Sequence, residues 1–262
     1  GTVHVVGAAT VQSSSQVVNS GTLTLDAAAS LLTGASLDNS GTATVGGLAT
    51  VNAASVTNET GAHLTAGSAS LTGATVDNVG TLTVTNAATV SGGTLTNETG
   101  AHLTAGSASL TGATVNNSGA ATVTGSASLA GGTFTNVTAA STLEVGSATL
   151  SASAQLINNG AVTVDHDASL AGGSHLTNSA TGTVTVDGDA TADAGTIDNH
   201  HTLTVDGTAT LSNSTHLTSD GTVHVVGAAT VQSSSQVVNS GTLTLDAAAS
   251  LLTGASLDNS GT

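Results

Sequence analysis

The chain contains no cysteine, proline, methionine, tryptophan, tyrosine, lysine or arginine, and a single phenylalanine in 262 residues. Without cysteine it has neither disulfides nor thiolate ligands. Without aromatic residues it builds no aromatic-anchored core and no aromatic ligand cage. Without Lys or Arg it has nothing to neutralise phosphate, so nucleic acid and anionic membrane surfaces are poor partners. No apolar run is long enough for a membrane-spanning helix, which leaves no candidate for membrane insertion in this segment. The opening GTVHVVGAAT has neither a basic region nor an initiator Met, and reads as an internal segment of something longer.

What remains is acidic but sparsely charged. Sixteen Asp and Glu give a formal charge of −16, yet only 6% of residues are charged. The surface is therefore a neutral coat of Ser, Thr, Asn and Gly carrying scattered carboxylates. Hydrophobic residues make up 38% and are nearly all Ala, Val and Leu. That is too much for a solvated disordered tail, and such small side chains suit a thin, regular core.

The strongest signal is self-similarity. Residues 221–262 repeat residues 1–42 letter for letter, a period of 220. We read residues 1–220 as one eleven-coil period and 221–262 as the start of the next, with no true boundary between them. Inside the period NETGAHLTAGSASLTGATV begins at Asn58 and again at Asn97. The underlying unit is short and nearly constant in length, roughly G-T-L-T-V-x-G-x-A-[ST]-[LV]-x-G-x-x-[LV]-x-N-x, in thirteen copies. Its tightest element is Ala-Ser/Thr-aliphatic, weakened only at Ala190-Thr191-Ala192.

Within each unit apolar residues alternate with Thr or Ser, as in Thr22-Leu23-Thr24-Leu25, the period of a half-buried strand. Frequent Gly and β-branched residues oppose long helices. Three short strands per unit are best buried by winding the chain and stacking the turns in register, which predicts an all-β parallel solenoid, or β-helix, of about 20-residue coils. The alternation turns Ala9, Val11, Leu23, Leu25, Leu82, Val84, Leu143, Val145, Leu150, Val162, Val164, Leu170, Leu203, Val205 and Leu211 inward. Copies reading GAHLTAG would place His63 and His102 inside by a constant count. Burying imidazole in place of Leu is unfavourable, so a one-residue slip is expected to turn Leu64 and Leu103 inward.

These repeats resemble filamentous-haemagglutinin-like and autotransporter-passenger adhesins, whose coils carry N-x-G-T-L-T-V. That pattern stands at Asn78-Val79-Gly80-Thr81-Leu82-Thr83-Val84, with a partial match at Asn39-Ser40-Gly41-Thr42. The resemblance implies a right-handed β-helix, export, a surface location and an adhesive or fibrous role. The missing Lys and Arg and the near identity of the copies favour a structural fibre over a receptor-specific adhesin.

An Asn closes nearly every copy: Asn19, Asn39, Asn58, Asn78, Asn97, Asn117, Asn136, Asn158, Asn178, Asn199, Asn239 and Asn259, with Ser219 the exception. In register, these amides are expected to hydrogen-bond along the axis as a structural ladder. Asn58, Asn97, Asn116, Asn136 and Asn213 also sit in N-x-[ST] contexts, which opens glycosylation as a second use. Outward T-x-T pairs such as Thr22/Thr24, Thr81/Thr83 and Thr202/Thr204 suggest an ice-binding or glycan-binding face, interrupted by His4, Ala120, Glu144 and Ala161.

One acidic cluster rises above background. Asp165, Asp187 and Asp206 occupy the same point in consecutive copies, with Asp167 and Asp189 two residues further on. Stacking brings like charges to about 5 Å, a repulsion of about 1 kcal/mol per pair even in water. Calcium, which takes six to eight oxygens, would relieve it with Asp167 and Asp189 as auxiliary ligands; solvated turns are the alternative. His166 and the pair His200-His201 are the only places to look for zinc, and no H-x-x-x-H spacing supports it. Catalysis has little to stand on, and no enzyme is expected. The sequence thus reads as an extracellular fibre or adhesin stalk on a bacterial surface or in a matrix, with copies of itself as the partner through end-to-end or lateral association.

Overall fold

The computed structural model describes residues 1–262 and consists of strands and turns with no helix. It is a parallel β-solenoid of thirteen coils. The chain divides into two compact units, Gly1–Gly125 and Ser126–Thr262, with the boundary inside the seventh coil.

The second coil of the first unit shows the plan: strands Thr22–Leu25, Ala29–Leu31 and Ser36–Asn39. Each pairs in parallel with its counterpart one coil on, Leu25 with Val45, Leu31 with Val51 and Asn39 with Asn58. First and second strands share one sheet, and third strands form the other. The second unit repeats this with Val162 opposite Val184, Leu170 opposite Ala192 and Asn178 opposite Asn199. Pairing at an offset of one repeat follows directly from the repeat length, because only an in-register stack returns every aliphatic residue to the interior.

Of the expected inward residues, Leu25, Leu82, Val84, Leu143, Val145, Val162, Val164, Leu170, Leu203, Val205 and Leu211 are buried. Ala9, Val11, Leu23 and Leu150 are half-buried; Ala9 and Leu23 pack against the Leu25, Ala29, Val45 and Ala66 cluster. Ala192 lies in register between Leu170 and Leu211 and joins them in one cluster with Leu217, Val231 and Val237.

The slip at the GAHLTAG copies is present. Leu64 is buried opposite Ala43 and Leu82, while His63 is exposed. Ala69 still pairs with Ala49 and Ala88, so the one-residue difference is taken up by bulges between Val45 and Leu48 and between Val84 and Ala88. Leu103 is likewise opposite Leu82, half-buried, with His102 exposed. One feature differs from the three-strand expectation. In several coils the first two strands run together, as in Thr42–Asn52, His63–Thr72, Thr81–Ser91 and His102–Thr111. There the corner is bent by a bulge without leaving the ladder.

The corner before the third strand is left-handed. Gly73, Gly93, Gly112 and Gly173 take positive φ there, and so do Ala53, Ala152 and Ala194. A side chain in this region is sterically costly, which explains the G-G and G-A corners of the repeat.

Candidate functional site

The most regular polar construction in the molecule is interior. In the first unit Asn19, Asn39, Asn58, Asn78 and Asn97 each donate from Nδ2 to the Oδ1 of the next, ending on Asn117, at 2.7–2.8 Å. In the second unit Asn136 donates to Asn158, Asn158 to Asn178, Asn178 to Asn199, and Asn239 to Asn259. Each amide also donates to a backbone carbonyl near the start of a following strand, for example Asn39 to His63 O and Asn178 to Thr202 O. From Asn39 to Asn199 these side chains have 0% exposure. Burial at that level is tolerated because the amide has two donors and two acceptor sites and the stack uses them in both directions. The N-x-G spacing has its reason here: a Cβ at Gly41 would run into the carbonyl oxygen of Gly21, one coil below.

Ser219 interrupts the ladder. Asn199 Nδ2 donates to Ser219 Oγ at 3.1 Å, but Asn239 Oδ1, in register with Ser219 one coil on, is enclosed and unpartnered. The ladder also decides the sequons: Asn58, Asn97 and Asn136 are fully enclosed, whereas Asn213 is exposed and hydrogen-bonded to Asp193.

The acidic corner does not gather into a cation site. No group of three or more His, Asp or Glu side chains converges on a point that would hold a metal ion. Asp165, Asp187, Asp206, Asp167 and Asp189 are exposed. Asp167 Oδ1 accepts from Asp189 N at 3.0 Å, and Asp189 Oδ1 accepts from Thr208 N at 2.7 Å. These two carboxylates therefore satisfy the backbone of the next coil's corner instead of facing one another. The Thr208 backbone N–H, and then its hydroxyl, hold the Asp189 carboxyl below its ordinary value of 3.8.

Histidines supply a contact that sequence reasoning missed. His4 meets Asp26 at 2.8 Å, His175 meets Asp198 at 3.1 Å, His200 meets Asp220 at 2.8 Å and His224 meets Asp246 at 2.9 Å. Every pair joins one coil to the next. His166 Nδ1 and His201 Nδ1 instead meet the carbonyl oxygens of Gly146 and Gly182.

Outward hydroxyls form columns on both sheets. On the first sheet Thr22, Thr42, His63, Thr81 and His102 stand in register, so histidine breaks the run. On the second sheet Ser36, Ser55, Thr75, Thr94 and Thr114 form five consecutive hydroxyls. A shallow groove of about 310 Å³ lies where Thr60-Gly61 and Thr99-Gly100 flank the shorter Val79-Gly80 turn, with His102 at its edge. It is the direct consequence of the duplicated NETGAH segment. Comparison with family models, with curated proteins and with solved structures finds no match for this chain.

Proposed function

We propose that the chain is part of an extracellular structural fibre or adhesin stalk, of the kind its repeats resemble, whose work is length, stiffness and resistance to proteolysis. The observation that carries this reading is the enclosed amide ladder. Repeated coil after coil, it commits the polar interior to holding neighbours in register. A hydrogen-bonded coil offers few loops to proteases, and the absence of Lys and Arg leaves trypsin no site. Immunogold electron microscopy of unpermeabilised cells producing the whole gene product tests it. Thin straight filaments outside the cell are expected; label confined to the interior would overturn the proposal.

A second reading, a binding face for ice or glycans, is favoured by the five in-register hydroxyls from Ser36 to Thr114. Thermal hysteresis at micromolar protein, lost on Thr75→Leu and Thr94→Leu, would support it; no hysteresis would dismiss ice binding.

A further inference from the structure

We propose that the plane between the eleventh and twelfth coils, at Ser219 and Asn239, is the preferred opening plane of the second unit, set by a single-residue break in its amide ladder. It concerns how the fold yields, and it holds wherever the chain resides.

At an intact step, such as Asn178 to Asn199, one amide supplies two hydrogen bonds upward, to Asn199 Oδ1 at 2.8 Å and to Thr202 O at 2.9 Å. The next step keeps both, since Asn199 donates to Ser219 Oγ at 3.1 Å and to Thr222 O at 2.9 Å. The step after that does not. Serine has a single hydroxyl donor on a shorter side chain, and Asn239 Oδ1 is left without a partner although Asn239 is only 1% exposed.

Everything else at the plane is continuous. Thr218 pairs with Val238, Val225 with Leu245 on the far side and with Val205 on the near side, and Leu211 with Val231. Leu217 and Val237 belong to the same apolar cluster. The polar column alone is cut. Opening an intact step breaks an amide–amide bond, whereas opening this one breaks none and returns an orphaned acceptor to water. The plane falls where the sequence restarts, since residues 221–262 restate 1–42. The ladder is thus interrupted at the end of the eleven-coil period and not at an arbitrary coil.

Single-molecule stretching of the full chain between its termini is the test. The first release is expected at this plane, freeing residues 221–262, or about 140 Å of contour at roughly 3.4 Å per residue. Ser219→Asn installs the residue that the other twelve coils carry. It should lower the opening equilibrium at this plane about tenfold, so that the release of about 140 Å disappears or moves to higher force. Asn178→Ser should create a second early release of about 140 Å, bringing the freed contour to about 280 Å, by breaking the ladder two coils earlier. The proposal is overturned if Ser219→Asn leaves the length and force of the first release unchanged, or if the parent's first release has a different length.

Discussion

Asn158 Nδ2 donates to Asn178 Oδ1 across 2.9 Å, and neither side chain reaches solvent. The same amide receives Asn136 Nδ2 at 3.0 Å and donates to Thr183 O at 3.0 Å, so it is fully used. Asn158→Asp removes both donors and sets a carboxylate against three acceptors, Asn178 Oδ1, Thr183 O and Gly160 O, in a dry interior. We expect a loss of about 4 kcal/mol at pH 7 relative to the parent. Desolvation and the facing oxygens raise the folded-state pKa of the new Asp above its unfolded value. The penalty is therefore largest above that raised pKa and shrinks as pH falls toward the unfolded value. Denaturant melts of both proteins at matched pH from 7 to 4 measure it; a penalty that does not shrink on acidification contradicts the ladder geometry.

The left-handed corner gives a pair of opposite predictions. Ala53 holds φ 45° where most coils place Gly, so Ala53→Gly should raise stability by up to about 1 kcal/mol, or about 2 °C in Tm. Gly93 holds φ 80°, and a Cβ there would strike the carbonyl oxygen of Ala74 in the coil below. Gly93→Ala should cost about 3 kcal/mol or more. Equal melting temperatures for both variants and the parent would refute this account of the corner.

The solenoid was legible because its two signals are strictly local: alternation within a strand and recurrence of Asn at one place in each copy. What escaped depends on the offset between coils, which single letters do not carry. Asp26 meets His4 and Asp198 meets His175 because stacking puts each pair on adjacent coils. By its letters alone the acidic corner is five carboxylates facing one another. Those letters do not say that Asp167 and Asp189 lean onto backbone N–H groups of the next coil. Ser219 stands out as the odd letter in the Asn series, but its effect falls on Asn239, one coil later.

That corner has its own test. Asp189 has a folded-state pKa below 3.8, so the stability it contributes is present above 3.8 and is lost as pH falls through the lowered folded value. The Tm difference between the parent and Asp189→Asn should be constant from pH 7 to about 5 and vanish at the acid end. Millimolar calcium should leave the parent Tm unchanged, because the carboxylates do not converge. A calcium-dependent rise abolished by Asp187→Asn would restore a cation site there.

The slip at the GAHLTAG copies separates two neighbours by their opposite fates. Leu64 is 9% exposed and stacks between Ala43 and Leu82, whereas His63 stands outward in the first-sheet column between Thr42 and Thr81. Leu64→Ala removes an aliphatic side chain from a thin column that has little freedom to collapse, and should cost about 2–3 kcal/mol. His63→Thr restores the residue that the neighbouring coils carry at that position, and should change stability by no more than about 0.5 kcal/mol. Were the constant count correct instead, with His63 inside and Leu64 outside, the two effects would exchange. Replacing a buried imidazole would then dominate and truncating an outward Leu would be nearly silent. Equilibrium urea unfolding of the two variants beside the parent decides between the registers, since the midpoints shift in opposite order under the two arrangements.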